Sequence, residues 1–151
     1  MSAKHATILI LDFGSQYTQL ITRRVRELGY YSIILPGNVP LARIEALAPK
    51  AMIFSGGPAS VYEANSPKLS PGILEWRDKA QTPVLGICYG MQLLVQSLGG
   101  QVERAPVREY GRMKVDIQKP GKLLEGFAGS FHAWMSHGDE ARVLPPGFEV
   151  V

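Results

Sequence analysis

Cys88 is the single cysteine among 151 residues, and its surroundings speak most directly of chemistry. It stands in Gly86-Ile87-Cys88-Tyr89-Gly90, behind the apolar run Pro83-Val84-Leu85-Gly86-Ile87 and ahead of a helical pattern from Tyr89 to Leu98. A strand that turns sharply into a helix around its nucleophile is a nucleophile elbow, here with Cys in place of Ser. The two glycines permit a turn too tight for side chains. Such a turn lifts the thiol toward the C-terminal edge of the strands, where open α/β sheets place their ligands. The helix N-terminus offers partial positive charge, which favours the thiolate. The N–H of Tyr89 is free to face a developing oxyanion. A lone cysteine is often a small buried hydrophobe. Two close glycines at a strand-to-helix junction favour the nucleophile instead.

Ser55-Gly56-Gly57-Pro58 follows the apolar run Ala51-Met52-Ile53-Phe54, so it belongs on the same sheet edge as Cys88. Paired glycines let backbone N–H groups approach a ligand closely. Three readings stay open for this segment alone: an oxyanion donor, a phosphate cradle, or a plain turn. The phosphate reading is weakened because Pro58 and Ala59 replace the expected acidic residue and no Lys follows. Ser136-His137-Gly138-Asp139 reads as a polar turn after an aromatic strand. His132, His137 and Asp139 match no common metal-ligand spacing, so no metal site is expected. Asp12-Phe13-Gly14 spells a kinase motif without its companions. Trp134 and Met135 read as core.

The elements that must position these residues alternate. Strands are predicted over 7–11, 31–35, 51–54 and 83–87, each a short apolar run of the kind a parallel sheet buries. Between them, Tyr17, Leu20, Ile21, Val25 and Leu28 form a helical stripe closed by Gly29. Further helices are predicted over 41–48, 72–80 and 89–98, with Met91, Leu94, Val95 and Leu98 on one face of the last. Residues 59–71 are polar, broken by prolines, and read as a surface loop. Met113, Val115 and Ile117 alternate with Lys114, Asp116 and Gln118, the pattern of a half-solvated antiparallel strand. Further strands are predicted over 131–135 and 148–151. The fold class is α/β: an open, mostly parallel sheet flanked by helices, with antiparallel edge strands.

Composition bounds the rest. Apolar residues make up 46% and charged residues 19%, which argues against disorder. The net charge of +3 is mild and its basic residues are scattered, so nucleic acid is not an expected partner. One cysteine excludes an internal disulfide and a Cys-cluster metal site. No apolar run approaches the ~20 residues of a membrane helix, and Met1 to His5 carry no cleavage-site pattern. A single domain over 1–151 in the cytoplasm is the expectation, with no membrane partner.

Several segments together resemble the class I glutamine amidotransferases. They are Leu11-Asp12-Phe13-Gly14-Ser15-Gln16-Tyr17-Thr18-Gln19-Leu20-Ile21, Arg23-Arg24-Val25-Arg26-Glu27, Ser55-Gly56-Gly57-Pro58, Asn65-Ser66-Pro67, Gly86 to Gln92, Glu109-Tyr110-Gly111 and Trp134 to Asp139. The opening segment and the Trp-Met-Ser-His-Gly-Asp run look like the branch of that family that serves GMP synthesis. The resemblance implies that Cys88 attacks glutamine and forms a γ-glutamyl thioester. It implies an oxyanion hole from the N–H groups of Gly57 and Tyr89. Gly56, Gln92, Ser136, His137, Gly138 and Asp139 would line the glutamine pocket. It implies no cofactor in this domain. ATP and Mg would belong to a synthetase domain of the ATP pyrophosphatase type, in cis or on a partner subunit, where ammonia aminates XMP. The whole enzyme would be a homodimer. The family's base lies in a His-Pro-Glu segment that this sequence lacks, and none of His5, His132 and His137 matches it. The expectation is a domain truncated before its His/Glu segment, with reduced turnover. A non-catalytic module on the same scaffold and a γ-glutamyl hydrolase are the alternatives.

Overall fold

A computed structural model describes residues 6–127 and 129–151. The stretch Met1 to His5, read above for targeting signals, lies outside the described residues. The chain divides into two compact units, 1–94 and 95–151.

The first unit carries a four-stranded parallel sheet in the order β2-β1-β3-β4. Along the chain these are β1 (Thr7–Asp12), α1 (Thr18–Glu27), β2 (Tyr31–Pro36), α2 (Leu41–Leu47), β3 (Ala51–Phe54), α3 (Ile73–Ala80) and β4 (Val84–Gly86). Helix α4 (Tyr89–Ser97) follows and runs on into the second unit. Leu9, Ile10 and Leu11 of β1 and Phe54 of β3 are fully buried, each such side chain contributing about 1.5–3 kcal/mol of transfer free energy. The register aligns Leu11 with Phe54 and Phe54 with Gly86. Parallel direction then brings the residues just past β1, β3 and β4 to one edge: Phe13, Ser55 and Cys88.

Two expectations about burial fail here for a topological reason. An apolar run before Cys88 predicts a strand covered on both faces, but β4 is an outer strand and Leu85 keeps 37% of its surface exposed. In α1 the predicted stripe is only partly the inner one. Val25 is buried and Ile21 half-buried, but Tyr17, Leu20 and Leu28 are exposed, and Thr18 and Thr22 take their place inside. Threonine is tolerated inside because its hydroxyl is satisfied locally. Thr22 donates to the carbonyl of Thr18 at 2.8 Å, and Thr18 donates to Asp12 Oδ1 at 2.7 Å.

The second unit is an antiparallel ribbon of β5 (Gln101–Asp116) and β6 (Ser130–Val143), joined through a short 3-10 turn at Lys122–Leu124. These strands pair with each other in a sheet of their own. The pairing is regular from Asp116↔Ser130 to Glu109↔His137, then shifts before resuming at Arg104↔Asp139. Pro106, which cannot donate to a ladder, falls in that irregular stretch. Residues 148–151, predicted to start a strand, form none. The N–H groups of Gln118 and Lys119 do reach the carbonyl of Val151, at 2.6 and 2.7 Å. No described helix is long and apolar enough to cross a membrane.

Candidate active site

Cys88 sits between β4 and α4 with φ of +49°, one of three described non-glycine residues at positive φ. A side chain held there is strained, and such strain clusters at functional sites. Backbone bonds hold the turn. The N–H of Ile87 donates to the carbonyl of Phe54 at 2.9 Å, that of Gly90 to the carbonyl of Ser55 at 3.0 Å, and that of Gln92 to the carbonyl of Cys88 at 3.0 Å. The flanking glycines are required by space. A methyl carbon at Gly90 would lie 2.2 Å from the carbonyl oxygen of Phe54, and one at Gly86 would lie 2.5 Å from Cα of Met91. Strain therefore falls on the cysteine itself and crowding on the glycines.

The Ser55-Gly56-Gly57 segment comes against this turn, as its place after β3 predicts. A carbon added at Gly56 would touch Cys88 Cβ at 3.5 Å and Ser15 Oγ at 3.5 Å, and one added at Gly57 would strike the carbonyl of Phe13 at 2.4 Å. Gly56 thus lies against both the cysteine and the loop after β1. That loop is itself fixed. Asp12 Oδ1 accepts from the N–H of Gly14 at 3.0 Å, and Ser15 Oγ accepts from the N–H of Tyr17 at 3.0 Å. The hydroxyls of Thr18 and Ser55 lie 3.0 Å apart. Asp12-Phe13-Gly14, a false kinase motif by its spelling, therefore frames the site, a part that its residue types do not reveal. Its position after the first strand of a parallel sheet is the signal that could have found it.

Tyr89 supplies more than a main-chain donor. Its ring is buried against Phe13, with centroids 5.5 Å apart, and its hydroxyl donates to the carbonyl of Pro67. Burial raises the Tyr89 phenol above its ordinary pKa, with the hydroxyl of Ser66 opposing. The N–H of Tyr89 opens α4, where no intrahelical acceptor exists. Gln92 lies one turn beyond the cysteine, as expected, but its side chain is only 4% exposed.

Burial acts on the sulfur against the helix N-terminus. Cys88 is exposed as a residue, yet the protein packed beside it desolvates the thiol and raises its pKa. The thiol form therefore dominates at neutral pH, and the proton needs an acceptor. No histidine occurs among the described residues of the first unit.

Ser136, His137, Gly138 and Asp139 belong to the second unit, inside β6. They form no turn: Ser136 pairs with Tyr110, His137 with Glu109 and Asp139 with Arg104. Gly138 faces the irregular stretch of β5, where a carbon added to it would lie 3.5 Å from Arg108 Nε. Trp134, read as core, is 81% exposed. Strand alternation sets Trp134 on the exposed face of the ribbon, beside the exposed Arg112 across the pair. A cleft of about 350 Å³ lined by Lys50, Trp76 and Thr82 lies at the opposite ends of the strands, away from Cys88.

The family model described as glutamine amidotransferase class-I matches residues 9–151. The chain belongs to the class I glutamine amidotransferases. Within that family it is similar to glutamine-hydrolysing GMP synthases. It is 50% identical to that of Brachyspira hyodysenteriae over 144 residues, which is 95% of this chain and 27% of the relative. It is 49% identical to that of Caldanaerobacter subterraneus subsp. tengcongensis over 151 residues, all of this chain and 29% of the relative. The chain thus spans little more than a quarter of these relatives' length. A solved structure from Thermoplasma acidophilum, provisionally described as one component of a GMP synthase, shares 26% identity at a TM-score of 0.76, covering 94% of this chain and 69% of its own. A glutamine amidotransferase from Thermotoga maritima shares the fold at 22% identity and a TM-score of 0.67, covering 93% of this chain and 64% of its own.

Proposed function

We propose that this chain is the glutaminase part of an enzyme that makes GMP, and that Cys88 is its nucleophile. The observation that carries the reading is Cys88 at positive φ, exposed between two space-limited glycines and facing the glycine loop after β3. In this reading the thiolate sulfur attacks the carboxamide carbon of glutamine. The carbonyl oxygen takes up negative charge against the N–H groups of Gly57 and Tyr89. The C–N bond breaks as the nitrogen takes up the proton given up by the thiol, ammonia leaves, and a γ-glutamyl thioester remains. Water then releases glutamate and restores the thiol. Gly56 and Gln92 border the reacting end, and Ser136, His137, Gly138 and Asp139 serve the amino-acid end. The ammonia goes to a synthetase domain, in cis or on a partner subunit, which uses ATP and Mg to aminate XMP. A cytoplasmic homodimer is the whole assembly we envisage.

The test is covalent labelling by a chloroketone analogue of glutamine, followed by peptide mass mapping. Labelling should fall on Cys88, saturate with reagent, be slowed by free glutamine, and vanish in Cys88→Ala. Labelling that glutamine does not slow, or that γ-glutamyl peptides slow far better, would replace this reading with a different substrate.

A further inference from the structure

We propose that Ser15 is a specificity-determining residue that accepts a hydrogen bond from the carboxamide nitrogen of the substrate over Cys88. This rests on the glutaminase reading above and names a contact that reading lacks. One carbon added at Gly56 would touch both Cys88 Cβ and Ser15 Oγ, each at 3.5 Å, so the two side chains border the same point beside the glycine. Both distances are ordinary van der Waals contacts, so Ser15 Oγ lies close enough to Cys88 for one substrate group to touch both side chains. A carboxamide attacked by Cys88 has its carbon at the sulfur and its oxygen on main-chain N–H donors. Its nitrogen carries two N–H groups that still need acceptors, because leaving them unpaired in the site weakens binding.

The hydroxyls near Gly56 are not equally available. Thr18 Oγ1 is buried and occupied by Asp12 and Ser55, and Ser55 Oγ is fully buried with bonds to Thr18 and the carbonyl of Gly56. Ser15 is only half-buried. Its oxygen takes one N–H, that of Tyr17 at 3.0 Å, which fixes its direction and leaves a second lone pair. Because Tyr17 and Ser15 lie in one tight turn before α1, the acceptor is held in place before any ligand arrives.

The experiment compares wild type, Ser15→Ala and Ser15→Thr in the full chain with two probes of Cys88. The chloroketone analogue has no amide nitrogen, whereas glutamine, used as the protecting ligand, has one. In Ser15→Ala, protection by glutamine should need between about twofold and tenfold more glutamine, the worth of one neutral hydrogen bond. The chloroketone labelling rate should stay within experimental error, and Ser15→Thr should regain most of the protection. Equal glutamine protection in Ser15→Ala overturns the proposal. So does parallel loss of labelling and protection, which marks Ser15 as a structural support of the turn. If wild-type Cys88 is neither labelled nor protected, the glutaminase reading itself fails and the Ser15 contact falls with it.

Discussion

Gly56, Gly57, Gly86 and Gly90 crowd around one cysteine, yet a methyl group would meet something different at each. At Gly57 and Gly90 it would strike backbone carbonyl oxygens at 2.4 and 2.2 Å, which cannot rotate aside. Gly57→Ala and Gly90→Ala should therefore each lose about 1–3 kcal/mol of stability as the strand ends are forced apart, measurable by urea unfolding. Gly56→Ala meets only contacts of 3.5 Å or more and has no positive φ, so its unfolding midpoint should match wild type while glutamine protection of Cys88 drops. An equal loss of stability at all three positions would contradict this division. The thiol offers a second check. Desolvation raises its pKa in the folded chain, so the folded-state reaction with iodoacetamide should gain its thiolate only at pH above the range where an ordinary exposed cysteine ionises. A rate already at its plateau at pH 7 would mean that the charge of the α4 N-terminus outweighs burial.

The elements differ in how plainly the sequence announces them. Strands β1 and β3 are apolar runs because central parallel strands are covered on both faces, outer β2 is an apolar run whose Ile33, Ile34 and Leu35 stay half-buried, and the ends of all three fall within a residue or so of the expected places. The Cys88 turn is legible for a related reason: a glycine pair marks where two chain segments approach too closely for side chains. Ribbon β5–β6 is legible only over Met113–Ile117 and Phe131–Met135. Outside those stretches polar and apolar residues mix without a regular alternation, so Ser136-His137-Gly138-Asp139 looks like a turn. Long-range roles are invisible for a different reason. Nothing in Tyr89 or Pro67 announces that the phenol hydroxyl reaches that carbonyl across 22 residues. This bond ties α4 to the 59–71 loop, which also pins itself where Lys68 Nζ and Ser66 Oγ both donate to the carbonyl of Val61, at 2.6 and 3.2 Å. Tyr89→Phe should accordingly cost about 0.5–1.5 kcal/mol and make the loop the first site of limited proteolysis. Unchanged cleavage within 59–71 would show that Val61, itself fully buried, suffices to hold the loop.

At the scale of the whole molecule, the two units rest on different physics. The first buries Leu9, Ile10, Leu11, Met52 and Phe54 in a sheet whose central strands have neighbours on both sides. The second is a two-stranded ribbon, an arrangement that is marginal alone because it has one ladder and little buried surface. Its long strands leave Trp134, Tyr110 and Val107 exposed. Stability should therefore be uneven, with local opening cheapest where buried apolar contacts are fewest. In native-state hydrogen exchange, the amides of Leu9–Leu11 and Met52–Phe54 should be the last to exchange, near the free energy of global unfolding. Those of Tyr110–Val115 and their partners Phe131–Ser136 should exchange through smaller openings, less sensitive to urea. The nucleophile would then sit on the rigid unit, while Ser136–Asp139, proposed for the amino-acid end of glutamine, would sit on the one that opens first. Saturating glutamine should slow exchange in β6 more than in β1 if those residues bind it. Uniform protection across both sheets, or glutamine-induced protection confined to the first unit, would remove residues 136–139 from the proposed pocket and leave Cys88 with its glycine loops as the whole of the site.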